Sequence, residues 1–326
     1  MLGATVAATI MFPIVGPILI AADVIRVRWR LPLLRVYLFA LQYMINDSVE
    51  ILLAPVYWVA AGFGTRLRSP ASIARHQRLQ WWSVSILERR AEQLLGLRVN
   101  VSAEASTELT EAGGGPVIVI SRHVSLFDAS LSGLLFWREG FQVRGIIMAE
   151  LLADPGFDLL YGRLGSVFIP RDDGGRARDE VKRLTASTSN DDLSTTAFVL
   201  FPEGRLFQPD VKKRALERLA TGDPERAERL SALRHTLPPR PGGLLILMDA
   251  LPEADIVLVD HRGLDAYPSL GLMTSLVPLT DPVTVTARRI ARTDIPSDEA
   301  GRVEWLDELW LEIDRSLDEE AQPVRP

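Results

Sequence analysis

The sequence predicts an α/β fold in which a mixed, largely parallel sheet is flanked by helices and follows an N-terminal helical membrane anchor. Short apolar runs alternate with segments of helical periodicity, an order typical of sheets built from strand–helix–strand units. Polar clusters follow two of the apolar runs directly. Residues 1–22 carry no charged side chain and are long enough to cross the hydrocarbon core of a bilayer.

The N-terminal apolar run is interpreted as an uncleaved anchor. A signal peptide would have basic residues before its apolar run, whereas Arg26, Arg28 and Arg30 follow this one. The positive-inside rule then places the N-terminus outside and the rest of the chain on the cytoplasmic side of the cell membrane. Pro13 and Pro17 interrupt the run, so a buried hairpin is the alternative.

A second apolar region, residues 36–63, carries Asn46, Asp47 and Glu50 in its middle and basic residues on both flanks. Charges at the centre of a bilayer are costly. This pattern favours a pair of helices that return to the same side, or that lie in the membrane interface. A single transmembrane helix with a functional polar centre is the alternative.

We expect membrane-anchoring helices over residues 1–68 and a catalytic domain over residues 69–326. Ser69 and Pro70 are suited to the N-cap and first position of a helix that ends at Gly96. Seven strands are expected at residues 97–101, 116–120, 143–148, 166–169, 197–201, 256–259 and 283–285. Further helices are expected at residues 127–137, 175–184, 211–219 and 241–250. A last helix is expected to pack on the core through Leu306, Leu309, Trp310, Ile313 and Leu317.

The composition argues against several classes of function. A net charge of −6 is unlike that of a nucleic-acid-binding protein. The chain has no cysteine, which excludes disulfides and thiolate metal sites, and its four histidines show no metal-ligand spacing. We therefore expect neither a metal nor a nucleic-acid partner.

The polar cluster at residues 121–128, Ser-Arg-His-Val-Ser-Leu-Phe-Asp, follows a predicted strand and contains a base and an acid five positions apart. This spacing suits neither one face of a helix nor one face of a strand. His123 and Asp128 can meet only if the chain turns between them. In α/β sheets the ends of strands are where ligands and chemistry are commonly found.

Four motifs in order resemble the glycerolipid acyltransferase family, which includes the lysophosphatidic acid acyltransferases. They are His-x4-Asp in residues 121–128, an apolar strand ending in Arg at 165–171, Phe-Pro-Glu-Gly in 201–205, and a Pro-rich block at 237–243. The last resembles the form found in the lysocardiolipin-acyltransferase-like branch. The resemblance covers roughly residues 81–265.

The resemblance implies that His123 is the general base and that Asp128 orients its imidazole. The chain has no Gly-x-Ser-x-Gly nucleophile elbow, so the simplest scheme uses the hydroxyl of the acceptor as the nucleophile. Ser125, between the two, is interpreted as a structural turn residue.

Glu203, Gly204 and Arg205 are expected to form the acceptor site. The family usually reads Phe-Pro-Glu-Gly-Thr-Arg, whereas this chain has Arg205 at the Thr position and Leu206 at the Arg position. Arg171 is therefore the better candidate to bind a phosphate, with an ion pair to a neighbouring Asp as its alternative role. Arg205 has the alternative of a surface charge after a turn.

These observations predict a membrane-bound O-acyltransferase that moves a fatty acyl group to the hydroxyl of a lysophospholipid or glycerol-phosphate-type acceptor. Acyl-CoA or acyl carrier protein would supply the acyl group as co-substrate, no further cofactor is expected, and the lipid bilayer is the expected partner. Two alternatives are a membrane-tethered lipid hydrolase that uses the same dyad and a catalytically inactive lipid-binding relative.

Overall fold

The computed structural model describes residues 1–111, 115–125, 127–153, 156, 158–169, 179, 182, 194–265 and 274–321. The chain divides into two compact units. One comprises Met1–Asn100, Ile147–Phe168 and Ser269–Val283, and the other comprises Val101–Ile146, Ile169–Pro268 and Thr284–Pro326. The expected boundary between residues 68 and 69 remains a prediction.

The first unit begins with two long apolar helices, α1 (Leu2–Ile25) and α2 (Pro32–Ala60), which pack against each other as an antiparallel pair. Thr5 contacts Ser48 through their hydroxyls at 2.8 Å, and Tyr37 donates to the carbonyl of Ala8. The carboxylate of Asp23 accepts the first free N–H groups of α2, from Leu33 at 3.0 Å and Leu34 at 3.4 Å. Each helix is long and apolar enough to cross a membrane.

The polar centre of α2 does not break that helix. The structure has one continuous helix, not the pair expected within residues 36–63, and α1 likewise continues through Pro13 and Pro17. The physical reason lies in helix α3 (Pro70–Arg90), where Ser83 donates to Glu50 at 2.5 Å and accepts from Asn46 at 3.2 Å. These polar groups are buried and hydrogen-bonded to protein, so no turn is needed to bring them to water.

As expected, α3 begins after the N-cap Ser69, and a π-helical turn, Ala91–Leu95, carries it to Gly96, which has the left-handed φ of 73°. A side chain at Gly96 would lie 2.7 Å from the carbonyl oxygen of Leu279. Gly96 is therefore required both by its backbone conformation and by the close approach of another segment.

The second unit is built around the central strands of a seven-stranded mixed sheet with the order β1-β7-β6-β2-β5-β3-β4. The strands are β1 (Val99–Val101), β2 (Val117–Ser121), β3 (Gln142–Met148), β4 (Val167–Ile169), β5 (Thr196–Leu200), β6 (Asp255–Arg262) and β7 (Val283–Ile290). Strand β2 pairs in parallel with β5 and β6, and β3 pairs in parallel with β5, whereas β7 is antiparallel to β6. The predicted fold class is confirmed.

The helices of this unit are α4 (Ala103–Glu111), α5 (Asp128–Arg138), α6 (Pro209–Gly222), α7 (Pro224–Leu230), α8 (Pro241–Ala250) and α9 (Glu299–Ala321). Helices α4 and α7 were not expected, because their short, mostly polar sequences carry little apolar periodicity. The stripe on α9 is buried from Leu306 to Ile313, as expected for packing on the core. The helix expected at residues 175–184 lies outside the described residues except at positions 179 and 182.

The two central strands β2 and β5 are buried at every position, which explains why they read as continuous apolar runs. Their parallel register pairs Ile120 with Leu200. The polar segments that follow the two strands therefore leave the sheet side by side, at its carboxyl edge.

Candidate active site

The chain turns between β2 and α5, and this turn brings His123 and Asp128 together. Nδ1 of His123 lies 2.7 Å from Oδ1 of Asp128, which is the first residue of α5. The predicted meeting of the two side chains is confirmed. Because an ionised carboxylate only accepts hydrogen bonds, Nδ1 carries the proton and the lone pair of the neutral ring lies on Nε2.

Asp128 is held by the same turn that it closes. Its second oxygen, Oδ2, accepts the backbone N–H groups of Val124 at 2.6 Å and Ser125 at 2.8 Å, and the side chain is completely buried. Asp128 therefore has a fixed position from which to orient the imidazole, whereas the His123 side chain remains 20% exposed.

The segment after β5 packs against the imidazole. The ring of Phe201 stacks on the ring of His123 with centroids 4.5 Å apart and an angle of 29° between the planes. The backbone N–H of Phe207 donates to the carbonyl of His123 at 2.8 Å. The first and third motifs, about eighty residues apart in sequence, thus form one local structure.

Glu203 joins three of the motifs through backbone hydrogen bonds. Its Oε1 accepts from the N–H of His123 at 3.0 Å, and its Oε2 accepts from the N–H of Leu237 at 2.9 Å. Burial raises the pKa of Glu203 to about 8, although these two bonds and the charge of Arg122 act to lower it. Both oxygens face the backbone of the protein, so the expected contact of Glu203 with the acceptor remains a prediction.

Gly204 and Arg205 complete the turn after Glu203. Gly204 has a left-handed φ of 65°, a conformation that favours glycine. Arg205 is half-buried and, within the described part of the chain, makes no hydrogen bond or ion pair. Their predicted contact with the acceptor remains a prediction. Arg171, the other predicted phosphate-binding residue, lies outside the described residues.

A buried arginine, Arg122, directly precedes His123 and was not predicted from the sequence. Arg122 donates from Nε to Asp260 at 3.0 Å and from Nη2 to Asp265 at 2.8 Å, and its Nη2 also donates to the carbonyl of His261. Its side chain has no exposed surface. These bonds tie the residue immediately before His123 to the end of β6, some 140 positions later in the sequence.

His261 at the end of β6 is also completely buried and lies close to Asp128. Its Nε2 is 3.4 Å from the carbonyl oxygen of Arg122 and 3.9 Å from Oδ2 of Asp128. Burial lowers the pKa of His261, and the positive charge of Arg122 lowers it further. A neutral ring with its proton on Nε2 suits two neighbouring acceptors. The only sequence signal for either residue was its position at the end of an apolar strand.

Within the described residues no group of three or more His, Cys, Asp and Glu side chains is arranged to hold a metal ion. The expected absence of a metal remains a prediction. What the described site supplies is a partly exposed imidazole, a buried carboxylate that fixes its tautomer, and a rigid turn on each side.

Comparison with known protein families gives a match over the middle of the chain. The family model described as acyltransferase matches residues 98–259, a range that contains the dyad, the Glu203 turn and the Pro-rich block before α8. No curated protein and no solved structure matches the chain.

Proposed function

Because this chain is an acyltransferase, with the domain of that family over residues 98–259, we propose that it moves a fatty acyl group from a thioester to the hydroxyl of a lysophospholipid or glycerol-phosphate-type acceptor. The thioester is that of acyl-CoA or of acyl carrier protein. The observation that carries this proposal is the 2.7 Å contact between Nδ1 of His123 and Oδ1 of Asp128, which leaves Nε2 as a base on a partly exposed ring.

In the proposed reaction, Nε2 of His123 removes the proton of the acceptor hydroxyl while the alcohol oxygen attacks the thioester carbonyl carbon. A tetrahedral intermediate forms and collapses, the carbon–sulfur bond breaks, and the thiolate takes the proton from the imidazolium. The products are an ester and a free thiol, and His123 returns to its neutral form. Asp128 stabilises the imidazolium in between, as the carboxylate of a Ser-His-Asp triad does.

The acceptor site is proposed to include the turn formed by Glu203, Gly204 and Arg205, with Arg171 as a phosphate-binding residue. Gly204 allows a ligand to approach the backbone closely, and a guanidinium forms paired hydrogen bonds with a phosphate. In a test of Arg171, the variant Arg171→Ala should raise the KM for the acceptor more than it lowers kcat. An unchanged KM would remove Arg171 from the site.

Membrane attachment is proposed to occur through α1 and α2, with the acyltransferase domain on the cytoplasmic side of the cell membrane. The support is their length, their apolar composition and the largely exposed apolar surface of α1. A lysophospholipid partitions into the same membrane, so attachment raises the concentration of acceptor that the enzyme meets. Retention of the protein in membranes washed with alkaline carbonate, and its cleavage by protease added to inverted vesicles only, would test both statements.

The reaction is tested with membranes that contain the protein, radiolabelled acyl-CoA or acyl carrier protein, and a panel of acceptors. The panel includes lysophosphatidic acid, lysophospholipids with larger headgroups, glycerol 3-phosphate and monoacylglycerol. The proposal predicts labelled ester in at least one phosphate-bearing acceptor. Labelled free fatty acid formed equally well without acceptor would indicate a hydrolase, and neither product with any acceptor or donor would indicate an inactive lipid-binding protein.

A further inference from the structure

Arg240, in the Pro-rich block at the start of α8, lies against the side of Gly204 where other residues carry a Cβ atom. A Cβ atom placed on Gly204 would be 3.6 Å from Cδ of Arg240 and 3.9 Å from its Nε and Nη1. These distances place the side chain of Arg240, including part of its guanidinium, along the turn that follows β5.

The backbone of Arg240 is fixed to the same turn. Its N–H donates to the carbonyl of Pro202 at 2.7 Å, and the next residue, Pro241, is the first residue of α8. Arg240 itself is exposed. Because the backbone of Arg240 is held by this hydrogen bond, an anion that binds its side chain requires no rearrangement of the backbone.

This turn is directly connected to the catalytic base. Glu203, between Pro202 and Gly204, accepts the backbone N–H of His123 at 3.0 Å, and Phe201 stacks on the imidazole. The same Glu203 binds the N–H of Leu237, three residues before Arg240. The loops that carry Arg240 and His123 are therefore joined through the two hydrogen bonds of Glu203.

We propose that Arg240 binds a phosphate group of the substrate beside the Gly204 turn. The inference rests on the proposed function, because the phosphate belongs to a molecule that takes part in acyl transfer. A guanidinium can bind two phosphate oxygens at once, whereas the single ammonium group of a lysine at the same position cannot form this paired contact. The phosphate belongs either to the headgroup of the acceptor or to the coenzyme A or phosphopantetheine part of the donor, and the two sources share this chemistry.

The structure also provides a matched control outside the proposed site. Arg218 is exposed on α6 and carries the same charge, and within the described residues it makes no hydrogen bond or ion pair. Replacing Arg218 by Gln changes the net charge by the same amount as replacing Arg240 by Gln. A difference between the two variants therefore reports the position of the arginine and not the overall charge of the protein.

The experiment compares wild type, Arg240→Gln, Arg240→Lys and Arg218→Gln in membranes. Lysophosphatidic acid or monoacylglycerol is the acceptor, and acyl-CoA or acyl-N-acetylcysteamine is the donor. For Arg240→Gln we expect the KM of the phosphate-bearing substrate to rise about 10-fold to 100-fold with a smaller change in kcat, because a charge-assisted hydrogen bond is lost. Arg240→Lys should restore part of the affinity.

The two donor and acceptor pairs identify the source of the phosphate. A rise in KM seen only with lysophosphatidic acid assigns the acceptor headgroup, and a rise seen only with acyl-CoA assigns the donor. An equal KM for every substrate in wild type and Arg240→Gln would overturn the inference, and so would the same rise in Arg218→Gln.

Binding of glycerol 3-phosphate, measured by titration calorimetry on the purified protein, separates this inference from the proposed reaction. Binding that depends on Arg240 in a protein that acylates no acceptor would retain the phosphate site and reject the proposed function. Acyl transfer in wild type combined with binding and kinetics unaffected by Arg240→Gln would retain the function and reject the phosphate site.

Discussion

The carboxyl group of Glu203 accepts the backbone N–H of His123 at 3.0 Å and is buried to the same degree as the core of the sheet. Its other oxygen accepts the N–H of Leu237. Glu203 therefore positions the backbone of His123, the proposed base, in addition to any contact it makes with the acceptor. The same two hydrogen bonds therefore contribute to the stability of the domain and hold His123 in position.

Replacing Glu203 by Gln should reduce both stability and activity. The amide keeps one acceptor oxygen but places an N–H donor against the second backbone N–H. The loss of one buried hydrogen bond and the unsatisfied donor should lower the free energy of unfolding by about 1–3 kcal/mol. Thermal unfolding in detergent would measure the change, with Glu217→Gln on the exposed face of α6 as the control. Equal melting temperatures for Glu203→Gln and wild type would contradict this account.

Glu203 should also make the domain less stable as the pH rises. Its pKa is raised from an ordinary 4.5 to about 8 in the folded protein, so the folded state binds the proton more tightly than the unfolded state does. The associated stability is present below pH 4.5 and is lost as the pH rises through about 8, at no more than about 1.4 kcal/mol per pH unit. This component should disappear in Glu203→Gln. A decline of the same steepness in both proteins would assign it to other groups.

Asp128→Asn should abolish most activity while leaving the turn in place. The amide oxygen can still accept the N–H groups of Val124 and Ser125, but the amide nitrogen would donate to Nδ1 of His123. The imidazole would then carry its proton on Nε2 and could not act as a base. We expect kcat to fall on the order of 10³-fold. The rate of acyl transfer measures the change, and Asp210→Asn at an exposed site on α6 is the control. A wild-type rate in Asp128→Asn would show that Asp128 does not orient His123.

His261 should make stability depend on pH in the opposite direction. Its pKa is lowered by burial and by Arg122, against the charges of Asp128, Asp260 and Asp265, so the folded protein resists its protonation. Stability from this source is present above pH 6.5, the ordinary pKa of His, and is lost as the pH falls below it. His261→Gln should flatten the acid side of the stability curve of wild type. An unchanged acid side would show that His261 does not titrate on unfolding.

The sequence predicted the part of the site that is formed by residues close together in the chain. A base and an acid five positions apart after a buried strand meet only across a turn, and His123 and Asp128 do so. The alternation of strands and helices predicted a largely parallel sheet, but not that β2 and β5 are neighbours in it. That pairing accounts for the contact between the first and third motifs.

The remaining features depend on partners that are distant in sequence. Nothing near Arg122 indicates that its guanidinium binds Asp260 and Asp265, because a buried arginine is identified only by what surrounds it. The continuity of α2 likewise depends on Ser83 of α3, which satisfies Glu50 and Asn46. The motif containing Glu203 was recognised, but its hydrogen bonds to two separate loops could not be read from its spacing.

The most direct test of the account is the rate of acyl transfer by His123→Ala in membranes, measured with the donor and acceptor pair on which wild type is most active. We expect transfer by His123→Ala to fall at least about 100-fold while the protein remains folded and attached to the membrane. Transfer at the wild-type rate by His123→Ala would contradict the claim that this imidazole deprotonates the acceptor.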